Sequence, residues 1–269
     1  MIDWNDAFDN MGYVPGAASL PQAWAEAAAA FRARLDGAGR LTPDLAYGPG
    51  PREALDLVLP EGGSAGLVVF VHGGYWRMFD KSYWTHLAAG CAARGWTVAL
   101  PSYPLAPEAR ISGITAAIAR AVGFAAARVP GPVRLSGHSA GGHLVTRMMC
   151  KGVLPGDVAA RLARVVSISG LHQLEPLVDT AMNDTLRLSA EEAAAESPAG
   201  LDPLPSVPLT AWVGAQERPE FLRQTRLIEE VWALKGAQVS AIYDPGHTHF
   251  SVIEALIHPD SPLTGAILT

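Results

Sequence analysis

The sequence has few of the residues that several large classes of protein require. Only two of its 269 residues are cysteines, Cys91 and Cys150, too few for a disulfide framework or a cysteine-based zinc site. Charged residues make up 17% of the chain, and no block of Lys or Arg occurs. With a formal net charge of −6 at pH 7, the chain is a poor match for a phosphate backbone, so we expect no nucleic-acid partner.

Long apolar runs are also missing. No stretch reaches the roughly 18 consecutive apolar residues that a membrane helix needs, because Arg120 and Arg128 interrupt the nearest one, 111–129. The first six residues include two aspartates and no basic residue, whereas a secretory signal begins with basic and then apolar residues. We therefore expect a reduced, soluble, cytoplasmic protein that does not bind membranes, with both cysteines packed as small hydrophobic residues.

What the chain does contain is a series of short runs rich in Val, Ile and Leu, separated by helical patterns. Strands are predicted at 66–71, 96–100, 133–135, 165–168, 209–213 and 238–243, with an outer strand at 53–59. Helices are predicted at 21–35, 82–94, 111–128, 140–150 and 219–234. This alternation requires crossover connections, so it predicts one α/β domain over 1–269 whose mostly parallel twisted sheet is flanked by helices.

Two segments do not follow the alternation. Residues 1–50 are interpreted as an N-terminal extension, and 171–207 as a cap insertion beyond the carboxyl ends of the strands, where ligands bind in open α/β sheets. The alternative for each segment is that it only covers the surface of the domain.

A serine in a glycine-rich turn is the first candidate catalytic residue. Gly137–Gly141 reads G-x-S-x-G and lies between a predicted strand and a predicted helix. A sharp strand-to-helix turn exposes its central residue, Ser139, as a nucleophile must be exposed.

Two glycines follow another predicted strand, in His72–Trp76 (HGGYW). A loop of this kind can turn its N–H groups inward, and acyl transfer needs such donors for the developing oxyanion. The backbone N–H groups of Gly73 or Gly74, together with that of Ala140, are the predicted oxyanion hole; an ordinary glycine turn is the alternative.

An acid and a base are expected in the chain order Ser, Asp/Glu, His. Glu217 follows one predicted strand and His249 follows the next, so both fall at strand ends where they could meet Ser139. Glu217 would orient the imidazole, and His249 would accept the serine proton. His247 is the competing base.

The remaining histidines show no metal-binding spacing, and the chain has no G-x-G-x-x-G or Walker-type loop. We therefore expect neither a metal nor another cofactor. Surface or packing positions are expected for His86, His143, His172 and His258, and structural hydrogen bonds for His72 and His138.

With these residues identified, the chain resembles the kynurenine formamidase (arylformamidase) branch of the α/β-hydrolase superfamily, from about Leu45 to Leu256. The resemblance rests on short segments in the same order: 72–76, Asp80-Lys81, 137–143, 169–176, Ser197-Pro198, 219–224 and His249-Phe250.

The resemblance implies an α/β-hydrolase fold with a small cap and a triad of Ser139, Glu217 and His249. The family generally has aspartate where this chain has Glu217, whose side chain is one methylene longer. Glu217 and the nearby Glu220 are therefore both candidates for the acid of the triad. Arg218 also replaces a small polar residue of the family.

The resemblance further implies hydrolysis of an aryl formamide, with N-formyl-L-kynurenine as the type substrate, through a formyl-enzyme intermediate. Tyr75 and Trp76 would then form an aromatic wall for this small-molecule substrate, or pack in the core. Arg77 either meets the carboxylate of the substrate's amino-acid head group or is solvated.

Two other functions are open to the same sequence. One is a general carboxylesterase, because fold and triad do not select a substrate. The other is a catalytically silent α/β-hydrolase that binds a ligand, although such proteins usually lose the serine or the histidine. The low charged fraction and high apolar content of the chain are also compatible with a homodimer interface.

Overall fold

The computed structural model describes residues 2–269 of the chain. One sheet of eight strands runs through the protein. Its order in space is β1-β2-β4-β3-β5-β6-β7-β8, antiparallel at β1–β2 and β2–β4 and parallel from β4 to β8. The predicted mostly parallel sheet is thus confirmed. The strands are β1 (Leu41–Ala46), β2 (Ala54–Val58), β3 (Leu67–Val71), β4 (Thr97–Pro101), β5 (Val133–His138), β6 (Leu162–Ile168), β7 (Leu209–Gly214) and β8 (Val239–Asp244).

Burial along the strands follows from their positions in the sheet. Every residue of β3 and of β4 is buried, because helices cover both faces of a parallel sheet. The predicted outer strand is the second strand, β2; β1 lies outside it at the sheet edge. The sequence of β1 includes Pro43 and Asp44, which are unfavourable in a central strand but compatible with an edge, and this composition concealed the strand.

Helices pack on both faces of the sheet. Residues of α5, α6 and α10 belong to one apolar cluster, and residues of α3, α4 and α11 to a second. The helices are α1 (Trp4–Ala7), α2 (Asn10–Tyr13), α3 (Leu20–Gly37), α4 (Ala89–Ala93), α5 (Ile111–Ala126), α6 (Ala140–Met148), α7 (Gly156–Ala159), α8 (Asn183–Leu186), α9 (Ala190–Glu196), α10 (Pro219–Leu234) and α11 (Pro262–Leu268). Short 3₁₀ turns occur at Ala17–Ser19, Lys81–Tyr83, Thr85–Ala88, Glu175–Asp179, Pro198–Gly200 and Val252–Ile257.

The helix predicted over 82–94 is wrong in its extent. Two 3₁₀ turns precede α4, and Asp80, not Ser82, caps the first of them by accepting a hydrogen bond of 2.8 Å from the Ser82 N–H. Residues 85–88 are all buried, so this stretch lacks the solvent face of an amphipathic helix and is shaped by its neighbours.

The segments set apart in the sequence have different places in the structure. The region assigned to an N-terminal extension contributes β1 to the sheet and α3 to a helical layer. Residues 171–207 contain α8 and α9 with 3₁₀ turns. Within residues 2–269, no helix combines the length and apolar character needed to cross a bilayer.

Removing buried apolar volume from the sheet should destabilise the fold. We expect Leu135→Ala in β5 to lower the free energy of unfolding by about 2–5 kcal/mol, because Leu135 is fully buried. Leu234→Ala is the matched control, since Leu234 is 89% exposed, and should change it by less than about 0.5 kcal/mol. Urea unfolding measures both, and equal losses would contradict the assigned core.

Candidate active site

Ser139 lies at a sharp turn between β5 and α6. Its backbone has φ 56° and ψ −118°, a conformation that non-glycine residues adopt only where the surroundings hold it. The Ser139 N–H donates to the Ile168 carbonyl at 2.8 Å, and the Ser139 carbonyl accepts from the His143 N–H at 3.1 Å. The turn is therefore tied to the neighbouring strand on one side and to α6 on the other.

The turn depends on a close contact between α6 and β3. A side chain at Gly141 would place its Cβ 2.0 Å from the carbonyl oxygen of Val71. Only glycine permits this approach, which seats the first turn of α6 against the end of β3. Ser139 is thereby brought beside the loop that follows β3.

The loop after β3 has an unusual backbone. Gly74 has φ 109°, which only glycine adopts readily, and Tyr75, Trp76 and Phe79 also have positive φ. The Nδ1–H of His72 donates to the Gly73 carbonyl at 2.7 Å. Because a trans peptide is planar, the Gly74 N–H of the same unit points the opposite way from this carbonyl.

The predicted oxyanion donors are free in the structure. Gly73, Gly74 and Ser139 line one cavity. Within residues 2–269, the backbone N–H groups of Gly73, Gly74 and Ala140 donate to no protein acceptor. Gly73 and Gly74 border the cavity, whereas Ala140 is fully buried behind Ser139 and does not line it.

Glu217 and His249 meet at the ends of β7 and β8. The Nδ1–H of His249 donates to Glu217 Oε2 at 2.6 Å, since an ionised carboxylate can only accept. Glu217 Oε1 accepts from the Ser169 hydroxyl at 2.6 Å and from the Gly214 N–H at 2.8 Å. The carboxylate is thus fixed on both oxygens, and the second imidazole nitrogen, Nε2, is left to face other groups.

Ser139 and His249 border the same cavity, although no hydrogen bond joins the serine hydroxyl to the imidazole among the described residues. His138 supports this part of the site: its Nε2–H donates to the His249 carbonyl at 2.8 Å, and the two rings lie 4.6 Å apart. Burial, and then the neighbouring His249, hold the pKa of His138 well below its usual value, so His138 is neutral.

The competing acid and base of the sequence prediction are placed elsewhere. The Glu220 carboxylate accepts from Arg223 at 2.7 Å and from the Gln224 amide at 2.7 Å. His247 lies 3.3 Å through Nδ1 from the Ser251 hydroxyl. Neither Glu220 nor His247 borders the cavity.

The other histidines are packed or structural, apart from the exposed His258. Burial lowers the pKa of His72 to about 4 and the pKa values of His143 and His172 to about 3. Both cysteines are buried and free, and burial raises the pKa of Cys91 to about 12. In residues 2–269, no three His, Cys, Asp or Glu side chains are grouped as metal ligands.

The cavity above Ser139 has a volume of about 580 Å³ and a largely apolar lining. Four aromatic side chains form one of its walls, with Trp24 at their centre: its ring lies 4.7 Å from Trp84, 5.6 Å from Phe250 and 5.9 Å from Phe79. Trp24 comes from α3, where an alanine-rich pattern gave no indication of a ligand site.

A second wall comes from the chain's first residues, although no motif in the sequence singled out individual residues there. Phe8, Asp9 and Asn10 line the cavity, as do Thr180–Met182 from the predicted cap. The Phe8 carbonyl accepts from the Tyr75 hydroxyl at 2.7 Å, and the Asn5 side chain accepts from the Ala181 N–H at 2.7 Å.

Arg218 ties this wall to the loop that carries Glu217. Its guanidinium pairs with the carboxylate of Asp6 and lies 4.9 Å from the centre of the Tyr13 ring.

The prediction that Trp76 forms a wall of the pocket is wrong. Trp76 is fully buried, does not line the cavity, and donates through its indole N–H to His143 Nδ1 at 3.3 Å. Trp76 belongs to the buried core, whereas Tyr75, which also has a positive φ, borders the cavity. The motif gave no signal that separates the two neighbouring aromatic residues.

The model of the alpha/beta hydrolase family matches residues 68–264. The chain belongs to the alpha/beta hydrolase family.

Within it, the chain lies in the kynurenine formamidase-like branch. It is 30% identical to a kynurenine formamidase of Danio rerio, over 84% of this chain and 80% of the relative, and 27% identical to one of Salmo salar, over 87% and 83%. Among solved structures, a Silicibacter protein described as a candidate thioesterase is 46% identical, with a TM-score of 0.94 and full coverage of both chains. An esterase from Pyrobaculum calidifontis shares the fold at 17% identity and a TM-score of 0.69, over 93% of this chain and 91% of that one. The chain is a hydrolase of this family.

The different placements of two tryptophans lead to a prediction. Trp76→Phe removes the hydrogen bond to His143 and should lower the free energy of unfolding by roughly 1–3 kcal/mol, while the KM for 4-nitrophenyl acetate stays within about twofold. Trp24→Phe removes apolar surface from the cavity and should raise that KM by about fivefold. Thermal unfolding and steady-state kinetics measure the two effects. A larger KM change for Trp76→Phe than for Trp24→Phe would contradict the placement of Trp76 outside the pocket.

Proposed function

We propose that this protein hydrolyses aryl formamides of the N-formyl-L-kynurenine type, with Ser139 as nucleophile, His249 as general base and acid, and Glu217 as the acid that orients His249. The observation that carries the proposal is the Glu217–His249 hydrogen bond of 2.6 Å, at a cavity that also holds Ser139 and free backbone N–H groups. The relatives named as kynurenine formamidases supply the substrate class.

In the first half of the reaction, Ser139 Oγ attacks the formyl carbon while His249 Nε2 accepts the hydroxyl proton. The carbonyl oxygen becomes an oxyanion, to which the N–H groups of Gly73 or Gly74 and of Ala140 donate. The carbon–nitrogen bond then breaks, and the imidazolium gives its proton to the leaving aromatic amine. Ser139 is left as a formyl ester.

In the second half, water replaces the amine. His249 accepts a proton from this water as the water attacks the formyl ester, and the oxyanion forms again at the same donors. Breakage of the ester returns the proton to Ser139 Oγ and releases formate. The Glu217 carboxylate accepts hydrogen bonds from Ser169, Gly214 and His249, and it stabilises the imidazolium when that forms.

The shape of the cavity suits a small acyl group and a large leaving group. A formyl group adds only a hydrogen to the carbonyl carbon and needs almost no acyl pocket. The aromatic leaving group needs a broad apolar surface, which Trp24, Phe79, Trp84 and Phe250 provide.

Hydrolysis of an ester or thioester is the second candidate activity. The relative described as a candidate thioesterase favours it, since 46% identity covers the whole of both chains. The same attack by Ser139 on an ester carbonyl would release an alcohol or thiol in place of an amine. A protein that only binds its ligand is disfavoured, because the chain keeps both the serine and the imidazole beside free N–H donors.

A substrate panel tests the proposal. We expect kcat/KM for N-formyl-L-kynurenine to exceed that for 4-nitrophenyl acetate and for acetyl-coenzyme A, and Ser139→Ala to lower kcat by about 10⁴-fold or more. Turnover is measured from the release of the aromatic amine, the nitrophenol or the thiol. Hydrolysis of the esters without any hydrolysis of the formamide would refute the formamidase proposal, and near-normal turnover by Ser139→Ala would refute the serine mechanism.

Two isosteric variants test which glutamate is the acid. Glu217→Gln should lower kcat by about 10²–10⁴-fold, because the amide no longer stabilises the imidazolium. Glu220→Gln is the matched control and should lower kcat by less than about threefold, since Glu220 binds Arg223 and Gln224. If only Glu220→Gln damages turnover, the assignment of Glu217 is wrong.

A further inference from the structure

The two peptides that carry the glycine oxyanion donors are each held through their carbonyl groups. The His72 carbonyl accepts from the Tyr103 hydroxyl at 3.0 Å, and the Gly73 carbonyl accepts from the Nδ1–H of His72 at 2.7 Å. Because a trans peptide is planar, the N–H of each unit points away from its own carbonyl. The N–H groups of Gly73 and Gly74 are therefore directed away from the groups that hold these carbonyls.

These two glycines lie beside Ser139 at the cavity. Both border it, and within residues 2–269 neither backbone N–H donates to a protein acceptor. A Cβ added at Gly73 would lie only 3.1 Å from the Cβ of Ser139. A rotation of the His72–Gly73 peptide would therefore redirect the Gly73 N–H relative to the serine that attacks the substrate.

Tyr103 follows β4 and is held behind this loop from two sides. It is fully buried, and its ring stacks on the His72 ring with 4.3 Å between centroids and 12° between planes. Arg52 Nε donates to the Tyr103 carbonyl at 2.9 Å, and another nitrogen of the same guanidinium donates to the Phe79 carbonyl. The position of Tyr103 is thus fixed relative to both ends of the loop after β3.

Both hydrogen bonds need donors that keep their protons. Burial raises the pKa of Tyr103 above its usual value, so the phenol stays protonated. Burial lowers the pKa of His72 to about 4, so its ring is neutral near pH 7 and carries one N–H. That proton lies on Nδ1, because the Gly73 carbonyl can only accept. The two carbonyls are therefore held in the same way throughout the neutral pH range.

We propose that Tyr103 is a positioning residue for the oxyanion hole, because its hydroxyl fixes the His72–Gly73 peptide with the Gly73 N–H free for the developing oxyanion. Tyr103 does not line the cavity, so it acts only through this peptide. The inference rests on the serine mechanism of the proposed function. It applies to a formamide and to an ester alike, since both would form an oxyanion at the same donors.

Tyr103→Phe removes the hydroxyl and keeps the ring that stacks on His72. We expect kcat for 4-nitrophenyl acetate to fall by about tenfold to a hundredfold, because oxyanion donors stabilise the transition state more than the bound substrate. KM should stay within about twofold, since the cavity lining is unchanged and both halves of the reaction use the same donors. Steady-state kinetics measures both constants.

Tyr47→Phe is the matched control. Tyr47 is buried in the same apolar cluster, and its hydroxyl donates to the Ser102 carbonyl at 2.6 Å, away from the loop after β3. Each variant loses one tyrosine hydrogen bond to a backbone carbonyl, so Tm should fall by about 2–4 °C in both. The kcat of Tyr47→Phe should stay within about twofold of the wild-type value. Equal losses of kcat in the two variants, or an unchanged kcat in Tyr103→Phe, would overturn the role of Tyr103.

A binding measurement with phenylboronic acid does not depend on which substrate is hydrolysed. The Ser139 hydroxyl adds to boron and its proton passes to His249, which leaves a tetrahedral boronate anion that resembles the oxyanion. Calorimetry should show binding to Tyr103→Phe weakened by about tenfold or more, and binding to Tyr47→Phe unchanged.

The outcomes of this measurement separate the two proposals. If Tyr103→Phe alone binds the boronate weakly but N-formyl-L-kynurenine is not hydrolysed, the formamidase proposal fails and the role of Tyr103 stands. If the formamide is hydrolysed but both variants bind the boronate equally, the role of Tyr103 is wrong. If the wild-type protein neither binds the boronate nor hydrolyses either substrate, the serine mechanism and this inference are both refuted.

Discussion

The contact between the first turn of α6 and the end of β3 is the constraint on which the site depends. At Gly141 the two backbones lie so close that a methyl group has no room, and Ser139 is held in a backbone conformation that costs of order 1–3 kcal/mol. Hydrogen bonds from the turn to Ile168 and His143, and the buried sheet beneath it, offset this cost. The serine hydroxyl is brought beside the loop after β3 because that conformation is enforced.

Neutral buried histidines hold the surroundings of the Glu217–His249 pair in place. His72 fixes a peptide of the loop after β3 through its bond to the Gly73 carbonyl, and His138 fixes the backbone of His249. Burial lowers the pKa of both histidines, which therefore bring no extra positive charge to the site. The negative charge of Glu217 is stabilised by Ser169 and Gly214 instead.

The parts of the fold and site that obey local rules could be predicted from the sequence. Alternating apolar runs and helical patterns gave the parallel sheet, and chain order gave Glu217 and His249 as neighbours at its strand ends. The longer side chain of Glu217 reaches the imidazole because the carboxylate also binds the Gly214 N–H at the end of β7, a contact that no sequence pattern reveals.

The cavity walls depend on contacts between distant residues, and sequence patterns did not predict them. Trp24 lies in a helix whose composition is typical of any surface helix, and the residues around Asn10 reach the cavity through contacts of Asn10 and Phe8 with the Tyr75 hydroxyl. Tyr75 and Trp76 both follow the predicted oxyanion loop, and the sequence left Trp76 open between the pocket wall and the core; the fold buries Trp76 fully and leaves Tyr75 at the cavity. Such outcomes are set by packing, which local patterns do not encode.

The wall formed by residues 5–11 has a consequence for how the cavity can change over evolutionary time. These residues supply Phe8, Asp9 and Asn10 to the cavity but no strand to the sheet, and a few side-chain contacts attach them to the rest of the molecule. Substitutions there alter the shape and polarity of the cavity while the sheet and the serine turn keep their own contacts. Selection for a new ligand can therefore act on the exposed positions of this stretch, Asp9 and Met11, almost independently of selection for folding, whereas the buried Phe8 belongs to the core.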